Sequence, residues 1–220
     1  MIDIMSFCAT PGSFKKTKIE TPWSRGDYTY ATNGHIGIRV PRRPDVTDEH
    51  GPDLQKIIDG APLSTNLRPM PEFDLNSIAT RLCFQCKGSG KTTWCRSCDG
   101  EGEIECCECG QGRPCENCNG EGTRPAKKDD DKWDVCYQCS GIGRVPATDR
   151  WPPAMIADKL CINILYARLI ATLPSARIDL GCPADGSAIR FVFDGGDGVV
   201  MPMRWDDGCP FMSPVTADAA

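Results

Sequence analysis

Ten of the fifteen cysteines in this 220-residue chain form five Cys-x-x-Cys pairs: Cys83/Cys86, Cys95/Cys98, Cys106/Cys109, Cys115/Cys118 and Cys136/Cys139. In a reducing compartment, this spacing indicates metal binding rather than disulfides. One such pair puts two thiolates on a single turn, and two turns complete a tetrahedral four-thiolate site at about 2.3 Å per bond, the preference of zinc. Four pairs continue as Cys-x-x-Cys-x-Gly-x-Gly (CFQCKGSG, CRSCDGEG, CENCNGEG and CYQCSGIG), whereas CCECGQG is one residue short. The glycines let the backbone curl so that its N–H groups point at sulfur and spread the thiolate charge. His35 and His50 lie well upstream of the block. A rubredoxin-like iron site and redox chemistry are the rival readings, and no thioredoxin-like βαβ pattern surrounds the pairs to support the second. Cys8, Cys161, Cys182 and Cys209 are isolated and read as small buried hydrophobes.

The elements that must carry this block fall on either side of it. In DYTYATNGHIGIRV, two β-prone runs flank Asn33-Gly34, which predicts a hairpin. DLQKIIDG reads as a short helix ended by Gly60, and APLSTNLRPMPEFD as an ordered linker. Within the block, TRPAKKDDDKWD reads as a solvated loop. Beyond it, Asn163 can cap a helix from Ile164 to Leu173, with Leu165, Leu169 and Leu173 at helical spacing and Pro174 ending it. ARIDLGC, AIRFVF and GVVMPMRW then read as strands of an antiparallel sheet. Composition thus changes from β-rich to cysteine-rich to α+β. The pattern predicts one α+β domain (1–80 and 147–220) interrupted by a zinc-binding hairpin insertion (81–146).

The cysteine repeat resembles the cysteine-rich domain of DnaJ-type co-chaperones. The resemblance implies nested pairing of the motifs: first with fourth (Cys83, Cys86, Cys136, Cys139) and second with third (Cys95, Cys98, Cys115, Cys118). Two zinc ions follow. Cys106/Cys109 would fall at the hairpin tip beside Cys107, leaving room for a third ion. No J-domain and no His-Pro-Asp signature accompany the repeat, so the co-chaperone function does not carry over with it.

The flanks resemble a single domain of bacterial DNA polymerase III β sliding clamps. DGGDGVVMPMRW is similar to their C-terminal Met-Pro-Met-Arg strand, YATNGHIGIRV to their Thr-Asp-Gly-His hairpin, and INILYARLIATLPSARIDL to the helix and strand between. In that family the hairpin and the strand line a pocket for short peptide motifs. The resemblance implies one wall from Thr32, Gly34 and His35 and another from Val200, Met201, Pro202, Met203 and Arg204. Met supplies adaptable apolar surface, Pro fixes the strand edge, and Arg can hold a backbone or carboxylate oxygen. The alternative is that Val199, Met201 and Met203 alternate as an ordinary core-facing strand. Departures are large: the chain has room for one clamp domain, the first helix is reduced, and Ile164–Leu173 offers only Arg168 to DNA.

A net charge of -5 gives no whole-chain nucleic-acid signal, although Lys15, Lys16, Lys18, Arg39, Arg42 and Arg43 form a modest basic cluster. No apolar run is long enough for a signal peptide or a membrane span, so a soluble cytoplasmic protein is expected. No nucleophile–base pair, phosphate-cradling loop or open metal position is evident, which argues for binding rather than catalysis. Three functions follow: a replication-associated zinc protein that binds polymerase-type peptide motifs or DNA, a DnaJ-like zinc-dependent chaperone or assembly factor, or a direct nucleic-acid binder. Self-association into a homo-oligomer is left open. The small single-domain form with its insertion suggests a phage or mobile-element source in a bacterial cell.

Overall fold

The computed structural model describes residues 2–9, 19–105, 111–136, 138–139, 141–148, 151–157, 160–181, 187–203 and 212–214. The first stretch carries β1 (Trp23–Arg25), β2 (Tyr28–Thr32), β3 (Ile36–Pro41), α1 (Leu54–Gly60) and β4 (Leu67–Pro69). The cysteine block carries seven short strands: β5 (Thr80–Leu82), β6 (Lys91–Trp94), β7 (Glu103–Glu105), β8 (Gly112–Pro114), β9 (Thr123–Pro125), β10 (Asp134–Val135) and β11 (Arg144–Pro146). The last stretch carries β12 (Pro153–Ala157), β13 (Leu160–Asn163), α2 (Ile164–Ala171), β14 (Arg177–Asp179), β15 (Ile189–Phe193) and β16 (Gly196–Val200). All named strands pair antiparallel, and there are two α-helices among the described residues, so the fold is sheet-rich and broadly α+β. The chain divides into two compact units, 1–75 with 151–220, and 76–150.

In the first unit a seven-stranded sheet runs β1-β2-β3-β16-β15-β14-β4. Chain ends far apart in sequence meet where Ile36 pairs with Val200 and Ile38 with Gly198. Period-two alternation sorts the two faces. Ile36, Ile38 and Val40 share one face with Ala31, Val200, Ile189 and Phe191, all buried. Each of the Ile, Val and Phe side chains so removed from water is worth about 1.5–3 kcal/mol. Gly198 is required on this face because the Phe191 ring lies where its Cβ would be. The opposite face meets α1: Trp23, Tyr30 and Val199 form one cluster with Leu54 and Ile58. Asp53 caps α1 by accepting from the Lys56 N–H.

Helix α2 starts where Asn163 accepts from the Leu165 N–H, but it ends at Ala171. Its buried stripe is Ile164, Ala167 and Ile170, whereas Leu165 and Leu169 are half-buried. Leu165 and Leu169 therefore mark the flank of the packed face, while Leu173, beyond the helix end, is buried. The expected linker 61–74 contributes edge strand β4, held by Leu67↔Asp179 and Arg177↔Pro69. The β12–β13 hairpin was not predicted.

The second unit is a set of nested ladders: β5 with β11, then β6 between β9 and β10, then β7 with β8. Each Cys-x-x-Cys-x-Gly-x-Gly motif is the knuckle joining one ladder to the next. The spacer 123–134, expected to be a solvated loop, is tied down. Arg124 pairs with Asp130 at 2.7 Å, Thr93 Oγ1 donates to the Lys132 carbonyl, and Lys91 Nζ lies 3.5 Å from the Trp133 ring centroid.

Candidate functional site

Two tetrads of sulfur assemble in the second unit. The Sγ atoms of Cys83, Cys86, Cys136 and Cys139 lie within 4.8 Å of one another, as do those of Cys95, Cys98, Cys115 and Cys118. The partners are motifs one with four and two with three. Across-motif separations are 3.8 Å for Cys83–Cys136, 3.7 Å for Cys86–Cys139, 3.9 Å for Cys95–Cys115 and 3.6 Å for Cys98–Cys118. A tetrahedral ion with bonds of about 2.3 Å requires sulfurs about 3.8 Å apart, so both tetrads fit zinc. Cys106 and Cys109, with Cys107, lie outside the described residues.

The knuckle geometry explains the motif. The residue after each second cysteine is left-handed at Lys87 (φ 52°), Asp99 (50°) and Asn119 (52°), and the glycines that follow also have positive φ. This turn aims the N–H of the last glycine at the second sulfur: Gly90 to Cys86, Gly102 to Cys98 and Gly122 to Cys118 at 3.3 Å, and Gly143 to Cys139 at 3.2 Å. The partner knuckles also grip each other reciprocally. Cys83 N–H donates to Gly143 O and Cys136 N–H to Gly90 O, while Cys95 and Cys115 do the same with Gly122 and Gly102. Each tetrad is therefore built with local two-fold symmetry.

Burial opposes four thiolates at one point. Burial pushes the Cys118 thiol up to about 12 and Cys139 to about 11, and raises Cys136 further. Against its own burial, Cys95 is brought down to about 7 by the Ser97 N–H and neighbouring cysteines. A tetrad so divided needs a cation before all four sulfurs can be anionic together. Zinc would supply that charge and close the fold here. The eight cysteines would hold it, and the glycine N–H groups would stabilise its ligands.

One contribution the motif spacing did not disclose is the residue before each knuckle. Leu82 lies against Gly88, Trp94 across Gly100, Pro114 against Gly120 and Val135 against Gly141. Each covers the first glycine of its own motif. This accounts for the exposure of Leu82, Trp94 and Val135 on a small module. The signal was present as a non-polar residue immediately ahead of each of the four Cys-x-x-Cys-x-Gly-x-Gly motifs, whereas Glu105 precedes Cys106.

The first unit brings the hairpin turn and the Met-rich strand together at one edge. Met201 N–H donates to the His35 carbonyl at 2.8 Å, and Met203 N–H donates to Cys161 O at 2.8 Å. The His35 ring stacks on Tyr166 with centroids 6.4 Å apart. Met201 is 42% exposed and Met203 39%, so neither is a core side chain, whereas Val199 is buried. Two of the expected wall residues are spent elsewhere. Thr32 is buried, accepting from Gly34 N–H and donating to Ile36 O within the turn, and Val200 faces the core. Gly34, His35, Met201, Pro202 and Met203 remain at the surface edge, and Arg204 lies outside the described residues.

Of the basic cluster, Lys15, Lys16 and Lys18 lie outside the described residues. Arg39 is bound by Asp197 and Asp59, both at 2.6 Å, with its side chain 11% exposed. Arg42 meets Glu49 at 3.2 Å and Arg43 meets Asp45 at 2.7 Å. Carboxylates thus engage all three arginines, Arg39 in a mostly enclosed pair and Arg42 and Arg43 in more exposed ones. No helix among the described residues is long and apolar enough to cross a membrane. No protein-family model, curated protein or solved structure matches this chain.

Proposed function

We propose that this is a non-enzymatic zinc protein of the cytoplasm: a sliding-clamp-like domain, interrupted by a DnaJ-like module with two structural zinc ions, that binds short apolar peptide motifs of replication proteins. The zinc assignment is carried by the two buried tetrads with tetrahedral sulfur separations. The peptide assignment is carried by the Met201-to-His35 bond, which sets two exposed methionines beside a stacked His–Tyr pair at a strand edge. Flexible thioether side chains next to aromatic rings suit an extended apolar peptide. Metal content should be two zinc ions per chain, or three if Cys106 and Cys109 complete another site. In fluorescence anisotropy, a labelled peptide carrying a polymerase-type clamp-binding motif should bind the zinc-loaded chain. Met201→Ala with Met203→Ala should weaken it by about tenfold or more. Unchanged binding sinks the peptide reading and leaves the zinc reading standing.

A second reading has its own support. Phe84, Leu82, Val135 and Trp133 expose apolar surface on the zinc module, as a chaperone that holds extended polypeptides would. Suppression of aggregation that survives the Met201/Met203 double substitution would favour it.

A further inference from the structure

The two tetrads share one architecture but differ in how well they are closed. In the Cys83/Cys86/Cys136/Cys139 tetrad, the second cysteine of each motif is sealed: Cys86 is 1% exposed and Cys139 0%. In the other tetrad the equivalent residues, Cys98 and Cys118, are 7% and 6% exposed. The residues two places beyond the last glycine of each motif differ in the same sense. Around the first tetrad these are Thr92 and Val145, both buried, and Val145 packs into the sulfur cluster. Around the second they are Ile104 and Arg124, both only half-buried, and Arg124 is turned aside to Asp130. The sulfurs of these two less enclosed residues are also near neighbours, at 3.6 Å.

We propose that Cys98 and Cys118 form an oxidation-sensitive dithiol, so that the second tetrad is opened by peroxide while the first stays intact; this rests on the zinc reading above. The more accessible thiolate attacks hydrogen peroxide, forming an S–O bond as the O–O bond breaks, and the departing hydroxide takes a proton to become water. The neighbouring thiolate then attacks that sulfur. The S–S bond forms, the S–O bond breaks, and the second hydroxide is protonated to water. Two thiolates lose two electrons in total, one peroxide gains them, and the donor set falls from four sulfurs to two. A dithiol reductant reverses the change.

The test uses the full chain after its zinc content has been measured. It is exposed to graded hydrogen peroxide. Released zinc is followed with a chromogenic chelator, and unreacted thiols are alkylated and mapped by mass spectrometry. One zinc equivalent should appear together with a Cys98–Cys118 disulfide while Cys83, Cys86, Cys136 and Cys139 remain alkylatable. Ile104→Ala should hasten that first release and leave the later one unchanged. A chain with Cys106, Cys107 and Cys109 replaced by Ser should keep the same order. Simultaneous release, prior loss of Cys86 or Cys139, or loss of the order in the triple-Ser chain overturns the proposal while leaving the zinc reading intact. A freshly purified chain without zinc overturns both.

Discussion

Gly90 and Gly141 face each other across the first tetrad so closely that a Cβ on Gly90 would clash with the Gly141 carbonyl, and Gly143 meets Gly88 in the same way. The second tetrad repeats the arrangement with Gly102 on Gly120 and Gly122 on Gly100. The paired glycines of the repeat are therefore interlocking surfaces between knuckles as well as flexible joints.

Substituting the interlocked glycines should cost the metal site. Gly90→Ala combines a positive φ of 72° with a backbone collision, while Gly26→Ala, at φ 57°, meets nothing within 4 Å. The second change should cost about 1–2 kcal/mol from the left-handed backbone alone. The first should cost more and remove one zinc equivalent per chain, measured by metal analysis beside thermal unfolding.

Metal removal should unfold one unit and spare the other. The second unit's buried clusters are the two cysteine tetrads with Val145 and Ile104, whereas the first has a seven-stranded sheet with an apolar face. Structural zinc contributes on the order of 10 kcal/mol to such modules near neutral pH. With a strong chelator, amide protection should vanish across 80–146 and persist in β3, β15 and β16. The same loss should follow acidification, because protons compete with zinc for thiolate. Hydrogen exchange at several pH values reads both effects.

Asp179 should govern part of the acid limb. It is buried and accepts from the Ser64 hydroxyl, the Ser64 N–H and the Gly181 N–H. Burial raises its pKa, but these three donors outweigh that and hold the carboxyl below its ordinary value. A depressed folded-state pKa stabilises the fold above the unfolded value of about 3.9, and that contribution is lost as pH falls through the folded value. Asp179→Asn should therefore lose about 1–3 kcal/mol at pH 7 and show a shallower decline below pH 4 in denaturant titrations.

The three arginines near the hairpin should separate by burial. Arg39→Ala removes a mostly enclosed guanidinium, leaving Asp197 with Arg190 alone and Asp59 without its ion pair. A loss of about 3 kcal/mol is expected. Arg42→Ala and Arg43→Ala sit at more exposed ion pairs and should each cost about 0–1 kcal/mol. Urea unfolding of the three variants, with a salt series on the last two, checks the ranking.

Local chemistry by itself determined a good deal of this protein. Asn33-Gly34 specified the hairpin, Asn163 specified a helix start, and four Cys-x-x-Cys-x-Gly-x-Gly copies specified thiolate knuckles, because caps, tight turns and knuckles are satisfied within a few residues. Tertiary structure decided the rest. Arg39 reads as a free cation until folding brings Asp197, 158 residues away, onto its guanidinium. Thr32 and Val200 read as groove walls until the turn and the core claim them. The stripe of α2 that is buried, the edge role of β4, and the unequal sealing of two tetrads with one motif all depend on which surfaces arrive opposite. Side-chain exposure is a property of the assembled layers, and no spacing within one segment encodes it.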